Sequence, residues 1–122
     1  MRKCEKEKYA RYRQTRYSPV AGPSRPAKAR FHPEAQAEYL EVIAYLGLHA
    51  PSAVDAFAGD VQEAVDFIEK YPEGAPVERG SVRCKLLRRF PYELYYSPEA
   101  DFVRILAVAH QRRRPGYWVD RE

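Results

Sequence analysis

Cationic and aromatic residues crowd the carboxyl-terminal third of this 122-residue chain, where their types and spacing suit phosphate binding. Arg83 and Lys85 alternate with apolar residues in a predicted strand, so their side chains share one face. Arginine grips phosphate through its planar guanidinium, and an imidazole such as His110 exchanges a proton near neutral pH. The further candidates for contacting a phosphate or a target are Arg88, Arg89, Arg112, Arg113, Arg114, Tyr117 and Trp118. Together they predict a positively charged concavity.

Each candidate also has a structural explanation, which the sequence leaves open. Arg83 can pair with acidic residues elsewhere in the fold, because exposed cations are ordinary on a half-buried strand. A single histidine at a strand end, such as His110, is commonly a structural hydrogen-bonding residue. Tyr117 and Trp118 can stack on a base or contact a partner, and they can equally anchor the chain's end over the core.

Other kinds of site find no support in the sequence. It contains no Gly-rich phosphate loop, no GxSxG and no HExxH motif. Cys4 and Cys84 lie far apart and form no CxxC pair, and His32, His49 and His110 fall on three different predicted elements. We therefore predict that the protein uses neither a metal ion nor a cofactor.

The charges are segregated along the chain. Residues 1–30 carry ten Lys or Arg against two acids, residues 31–78 carry ten acids against one lysine, and residues 79–122 carry ten Lys or Arg against five acids. Such blocks predict separate acidic and basic surfaces, which suit partners of opposite charge and nucleic acid on the basic side. The alternative is that the blocks attract one another within the fold.

The chain divides into a basic arm and one small domain. Residues 1–28 combine dense positive charge, three tyrosines and a Pro/Gly/Ser-rich stretch with few aliphatic residues, which predicts a disordered arm. Its alternating Tyr and Arg suit nucleic acid; otherwise the arm is idle, or the start is misassigned and translation begins at Val20. Residues 29–122 can form a single core. With no apolar run of the roughly 20 residues that span a membrane, and no signal peptide, we expect a cytoplasmic protein without membrane contact.

Hydrophobic periodicity predicts the elements of that domain. A short strand at 29–32 precedes a helix from Pro33 to about Leu46, stopped by Gly47. A second helix, capped by Ser52, ends before Pro72, and residues 73–81 form a loop. Strands at 82–87, 92–96 and 102–110 follow, the last apolar enough to be central. The order β-α-α-β-β-β predicts an α+β fold in which a helical hairpin packs on one face of a small, mostly antiparallel sheet. The first helix is apolar on more than one side, so we expect it to be covered on two sides.

Residues 29–122 resemble the RelE/ParE superfamily of toxins from type II toxin–antitoxin systems. The resemblance rests on a helical hairpin ending in YP and on the following stretch, VRCKLLRRFPYELYYSPEADFVRILAVAHQRRRPGYW. It implies a small toxin that a co-expressed antitoxin wraps and neutralises, in a toxin–antitoxin hetero-oligomer. The apolar hairpin and the sheet edges are the expected contacts for that antitoxin. The basic arm has no counterpart in the family pattern.

The resemblance leaves two targets open. RelE-like members are ribosome-dependent endoribonucleases that cut mRNA, and here they would imply a catalytic set of His110, Arg83, Lys85, Arg112 and Tyr117. ParE-like members inhibit DNA gyrase by binding. The nuclease pattern expects an arginine after the aromatic residue that opens the middle strand, but Glu93 stands there, and Gln111 stands where a second arginine is expected. A carboxylate repels phosphate unless it acts as a base, so the sequence favours the ParE-like branch.

Overall fold

The computed structural model describes residues 27–113 and 116–121, in which a hairpin of two helices covers one face of a five-stranded sheet. The predicted fold class is thereby confirmed. The elements are β1 (Lys28–Phe31), α1 (Pro33–His49), a 3-10 turn (Pro51–Ala53), α2 (Val54–Lys70), β2 (Val77–Arg79), β3 (Val82–Leu86), β4 (Tyr92–Pro98), β5 (Phe102–His110) and a final 3-10 turn (Val119–Arg121). No helix within these ranges is long and apolar enough to cross a membrane.

Helix α1 begins at Pro33 and the 3-10 turn that leads into α2 begins at Pro51, but the predicted end of α1 and the predicted start of α2 needed correction. Helix α1 continues through Gly47 to His49, and it stops where the Ala50 N–H binds the Leu46 carbonyl at 2.7 Å. Gly47 does not have the positive φ of a glycine that ends a helix. A glycine inside a helix lowers its stability by only about 1 kcal/mol relative to alanine. The predicted cap at Ser52 is wrong: this residue lies within the 3-10 turn, and α2 begins after Ala53 without a side-chain cap.

The strands are ordered β1-β5-β4-β3-β2, with β1 parallel to β5 and the other neighbours antiparallel. The central position of β5 and its bounds, Phe102–His110, are as predicted. The predicted loop at 73–81 instead contains β2, which pairs with β3 through a tight turn at Gly80 (φ 58°). Strand β2 has three residues, too few to show an alternating pattern in the sequence.

The sheet is buried on both faces. The helix-side core gathers around Phe57, Ile68 and Leu94, all fully buried. The second face holds a smaller cluster of Val82, Cys84, Tyr95, Leu106, Ala107, Ala109 and Trp118, which residues 116–121 cover. A single tryptophan near the chain's end thus closes the face that the helices leave open.

Helix α1 is covered on only one side within the part of the chain that the structure describes. Its inner residues pack on the sheet, while Leu40, Tyr45 and Leu48 are 54%, 59% and 82% exposed. Leu40, Ala44 and Leu48 follow one another at four-residue spacing, so they share one outward face of the helix. The expected second cover is absent from the described residues, and Leu40, Tyr45 and Leu48 are exposed among them.

Candidate functional site

Arg83 and Lys85 lie on one face of β3, as their spacing predicts, but that face is turned toward the helices. They pair with Tyr96 and Leu94 of β4, which belong to the helix-side core. The Arg83 guanidinium donates to the carbonyls of Ala75 at 2.7 Å and Glu73 at 3.3 Å. This contact ties the loop after α2 to the sheet.

Lys85 lies in a small cavity rather than on an open surface. Its side chain is largely buried, and Nζ lies 4.7 Å from the centre of the Phe67 ring. The cavity measures about 180 Å³ and is lined also by Asp60, Glu63 and Arg88, so its charges balance. The Phe67 ring and the nearby carboxylates stabilise the Lys85 ammonium where it lies, so it is poorly placed to bind a phosphate.

The loop between β3 and β4 carries two exposed cations on a rigid backbone. The backbone N–H groups of Arg88, Arg89 and Phe90 all donate to the carboxylate of Asp60, at 3.1, 2.8 and 3.1 Å. Asp60 projects from α2 and is 3% exposed. The side chains of Arg88 and Arg89 remain at the surface, and Arg88 makes a loose contact with Glu63 at 3.5 Å. The loop therefore presents two arginines in a fixed position.

Sequence reasoning missed Asp60, although a signal for it was present. The buried face of α2 includes Phe57, Val61 and Ala64 at helical spacing, and Asp60 falls within the same stripe. An acid at a core position needs hydrogen-bond donors nearby. The pattern alone could not say that the donors come from a loop 28 residues further along the chain.

His110 and Arg112 lie at the far end of β5. His110 Nδ1 accepts the N–H of Arg112 at 3.0 Å, and its ring meets the edge of Tyr92 with centroids 5.0 Å apart. Burial, and then the positive charge of Arg112, lower the pKa of His110 below its usual value. Both effects favour the neutral form of the imidazole.

Residues 116–121 place Tyr117 and Trp118 in different surroundings. Tyr117 lies next to Arg113 and Arg121, whose guanidinium carbons are 3.8 and 5.0 Å from the ring centre. Burial, and then the Glu38 carboxylate, raise the pKa of the Tyr117 hydroxyl. Trp118 is 1% exposed and packs 4.9 Å from Tyr95, as expected if it anchors the chain's end. Arg114 lies outside the described residues, as do residues 1–26 of the predicted arm.

The structure does not bring the five residues of the nuclease-like set together. Arg83 is in register with Ile105 through β4, whereas His110 ends β5 five residues later, roughly 16 Å along the strand. Arg83 and Lys85 face the helices, and Arg112 follows His110. Tyr117 packs beside the opposite face of the sheet.

Glu93 is not at a surface where it could act on a substrate. Its side chain is fully buried in β4, on the face away from the helices. Its carboxylate accepts the Tyr95 hydroxyl at 2.6 Å, and the Cys84 thiol lies 3.6 Å from its second oxygen. An enclosed, hydrogen-bonded carboxylate of this kind organises the core beneath Trp118.

A hairpin on one face of this sheet, with a short final segment on the other, defines the fold class. The fold of this chain is similar to that of a solved structure titled "Chromosomal ParDE TA system from P. aeruginosa", with a TM-score of 0.60 and 20% sequence identity. The match covers 71% of this chain and 98% of that one. Residues 29–115 match the family model described as the ParE toxin of type II toxin–antitoxin system, parDE. The chain therefore belongs to the ParE toxin family. No curated protein matches it in sequence.

Proposed function

We propose that this ParE-family toxin inhibits growth by binding DNA gyrase and that a cognate antitoxin neutralises it. The observation that supports binding over RNA cleavage is the separation of the candidate catalytic side chains. Cleavage of RNA requires a base, a cation for the phosphorane and an acid around one phosphate. Here Arg83 is bonded to carbonyl oxygens, and Lys85 is buried against Phe67. His110 lies five residues along β5 from Ile105, which is in register with Arg83.

The surface proposed to meet the target is the pair of exposed cations on the loop between β3 and β4. Asp60 fixes the backbone of Arg88 and Arg89, so little conformational entropy is lost there on binding. Arg112 and Arg113, exposed after β5, add positive charge. Arginine is common in binding surfaces because its planar fork pairs with carboxylates and stacks on rings.

The surface proposed for the antitoxin is the outward face of α1. Leu40 and Leu48 expose apolar side chains at helical spacing, and Tyr45 stacks on His49 at 4.3 Å beside them. Exposed acids such as Glu41 flank this face. A helix with an apolar stripe and basic flanks matches both features, by the helix-in-groove mode of peptide recognition.

Gyrase supercoiling, measured with purified toxin, tests the proposed target. We expect the parent to inhibit supercoiling and the double variant Arg88→Ala, Arg89→Ala to lose at least tenfold in potency. Arg104→Ala removes an arginine that is also partly exposed, on β5, and should leave the potency unchanged. In parallel, 5′ ends of mRNA are mapped after induction in cells lacking the antitoxin. New cuts within translated codons, together with unaffected gyrase, would refute the proposal.

Binding of the cognate antitoxin to surface variants tests the second surface. Leu48→Asp places a charge at the most exposed leucine of the apolar stripe and should weaken binding by about a hundredfold, a typical loss at a buried interface anchor. Val119→Asp also places a charge at an exposed valine, 38% exposed in the final 3-10 turn and outside the hairpin and the sheet edges, and serves as the control. Equal binding by Leu48→Asp and the parent would show that the antitoxin uses another surface.

A further inference from the structure

Strand β5 extends beyond its neighbour β1 and leaves half of one edge without a strand. Strand β1 pairs with Phe102 to Ile105, and β4 pairs with β5 from Val103 to His110 on the other side. The register skips Leu106, since Tyr96 pairs with Ile105 and Tyr95 with Ala107. Leu106 is therefore a β-bulge, and it re-aims the backbone polar groups that follow.

Two side chains take the place of the missing strand. A Glu38 carboxylate oxygen accepts the Val108 N–H at 2.9 Å, and the Arg121 guanidinium donates to the Leu106 carbonyl at 3.0 Å. The two side chains also bond to each other at 3.0 Å and are only 13% and 11% exposed. We call Glu38 and Arg121 the edge cap. Arg121 makes a further ion pair with Glu34 at 3.1 Å.

The second helix provides a similar device at the neighbouring strand. Glu69 of α2 accepts the N–H of Ala29 in β1 at 2.8 Å. Each helix of the hairpin thus sends one carboxylate to a backbone N–H on this side of the sheet. Partial burial of a carboxylate costs free energy. We infer that leaving these backbone N–H groups at an open strand edge would cost more than burying Glu38 and Glu69.

We propose that the edge cap closes β5 against pairing with the β5 strand of a second copy of this chain. The edge that it covers runs through Leu106, Ala107, Val108 and Ala109, which carry no charge that would repel an identical strand. Around a two-fold axis at Val108, each copy would satisfy the other's N–H and C=O in an antiparallel pair.

The cap also ties this edge to the chain's end. Arg121 lies in the final turn that carries Trp118, so releasing Arg121 loosens the segment that otherwise obstructs an incoming strand. Opening the edge and freeing the final turn are therefore one event. The cap keeps the toxin a monomer whose sheet cannot be extended at β5.

Sedimentation velocity and amide exchange of the full chain test this role. Glu38→Ala removes the acceptor of the Val108 N–H, and Arg121→Met removes the donor to Leu106. Asp66→Ala, which removes an exposed carboxylate of α2, is the control. We expect parent and control to stay monomeric, and both cap variants to double in mass as concentration rises. In dilute, monomeric Glu38→Ala the Val108 amide should exchange about tenfold faster than in the parent, because its acceptor is gone. Its protection should return in the dimer.

Three outcomes would overturn the proposal. Folded cap variants that remain monomeric at every concentration would show that the edge needs no closure. Association that leaves the Val108 amide fast-exchanging would place the contact elsewhere on the surface. A parent that already dimerises with Val108 protected would show that the cap does not prevent pairing. Should Glu38→Ala fail to fold, Arg121→Met decides alone, because it leaves the Glu38 bond to Val108 in place.

Discussion

Replacing Asp60 by alanine should release the loop that carries the proposed target-binding arginines and destabilise the whole domain. In the native protein this one carboxylate accepts three consecutive backbone N–H groups, from Arg88, Arg89 and Phe90. Asp60 is 3% exposed, so its carboxylate has little contact with water in the folded protein. Phe90 also packs edge-on against Phe57, with ring centroids 5.2 Å apart, which links the loop to the core.

The expected loss follows from these contacts. A hydrogen bond to a charged group contributes roughly 1.5–3 kcal/mol, so three bonds set an upper limit of about 9 kcal/mol. The N–H groups of Arg88 and Arg89 lie on an exposed loop and regain water when the carboxylate is removed, which recovers much of that energy. We therefore expect Asp60→Ala to lower the free energy of unfolding by about 3–4 kcal/mol, a large part of the 5–15 kcal/mol typical of a domain.

Urea unfolding monitored by fluorescence measures this loss directly. Trp118 is the chain's single tryptophan and is almost fully buried, so its emission reports on the native core. With a slope of 1–3 kcal/mol per molar urea, the midpoint should fall by roughly 2 M. Asp66→Ala removes an exposed acid of the same helix and should change the free energy of unfolding by no more than about 0.5 kcal/mol.

An intermediate variant separates charge from geometry. Asp60→Asn keeps one oxygen, which can still accept the N–H groups of Arg89 and Phe90, but turns an amide donor toward Arg88. We expect a loss of about 2 kcal/mol, between those of the other two variants. The reasoning fails if Asp60→Ala is no less stable than Asp66→Ala, or if Asp60→Asn matches the parent.

Three further predictions concern stability. Gly74→Ala should cost about 1–3 kcal/mol in thermal unfolding, because the new methyl would lie 2.9 Å from Phe67 Cζ and 3.0 Å from Tyr71 Cβ. Trp118→Ala should cost about 3–5 kcal/mol, measured by circular dichroism in urea, because it opens the second core cluster. The variant His110→Asn should lose less stability than the parent when the pH falls from about 8 to about 5. The pKa of His110 is lower in the folded protein than the value of about 6.5 in the unfolded chain. Protonation of His110 therefore favours unfolding as the pH falls through that value.

Each of these three predictions can be checked against a control variant or against the parent protein. Gly59→Ala, at an open helical position, should stabilise by up to about 1 kcal/mol, and an equal destabilisation at both glycines would contradict the steric argument. Trp118→Phe should retain much of the packing, so a loss as large as that of alanine would point to another cause. A His110→Asn protein with the parent's full acid sensitivity would show that this histidine does not contribute to it.

Local sequence patterns predicted most of the secondary structure and the fold class correctly. The helical hairpin, the three long strands and the central place of β5 follow from hydrophobic periodicity, because burial selects a period of two or of 3.6 residues. Strand β2 was missed since three residues hold too little pattern, and the end of α1 was misplaced because Gly47 sits within a helix that packing stabilises. The same-face placement of Arg83 and Lys85 was predicted correctly, but not the direction of that face.

The sequence by itself determined the element types, the charge segregation and the resemblance that the family match bears out. Only the tertiary structure decided which polar side chains lie at the surface and which form hydrogen bonds within the fold. Asp60 meets its donors 28 residues away, and Glu38 meets Arg121 across 83 residues. Glu93 sits in a buried strand whose two faces are both covered. Periodicity reports whether a side chain faces inward, but a hydrogen bond depends on which distant backbone the folded chain brings within about 3 Å of it.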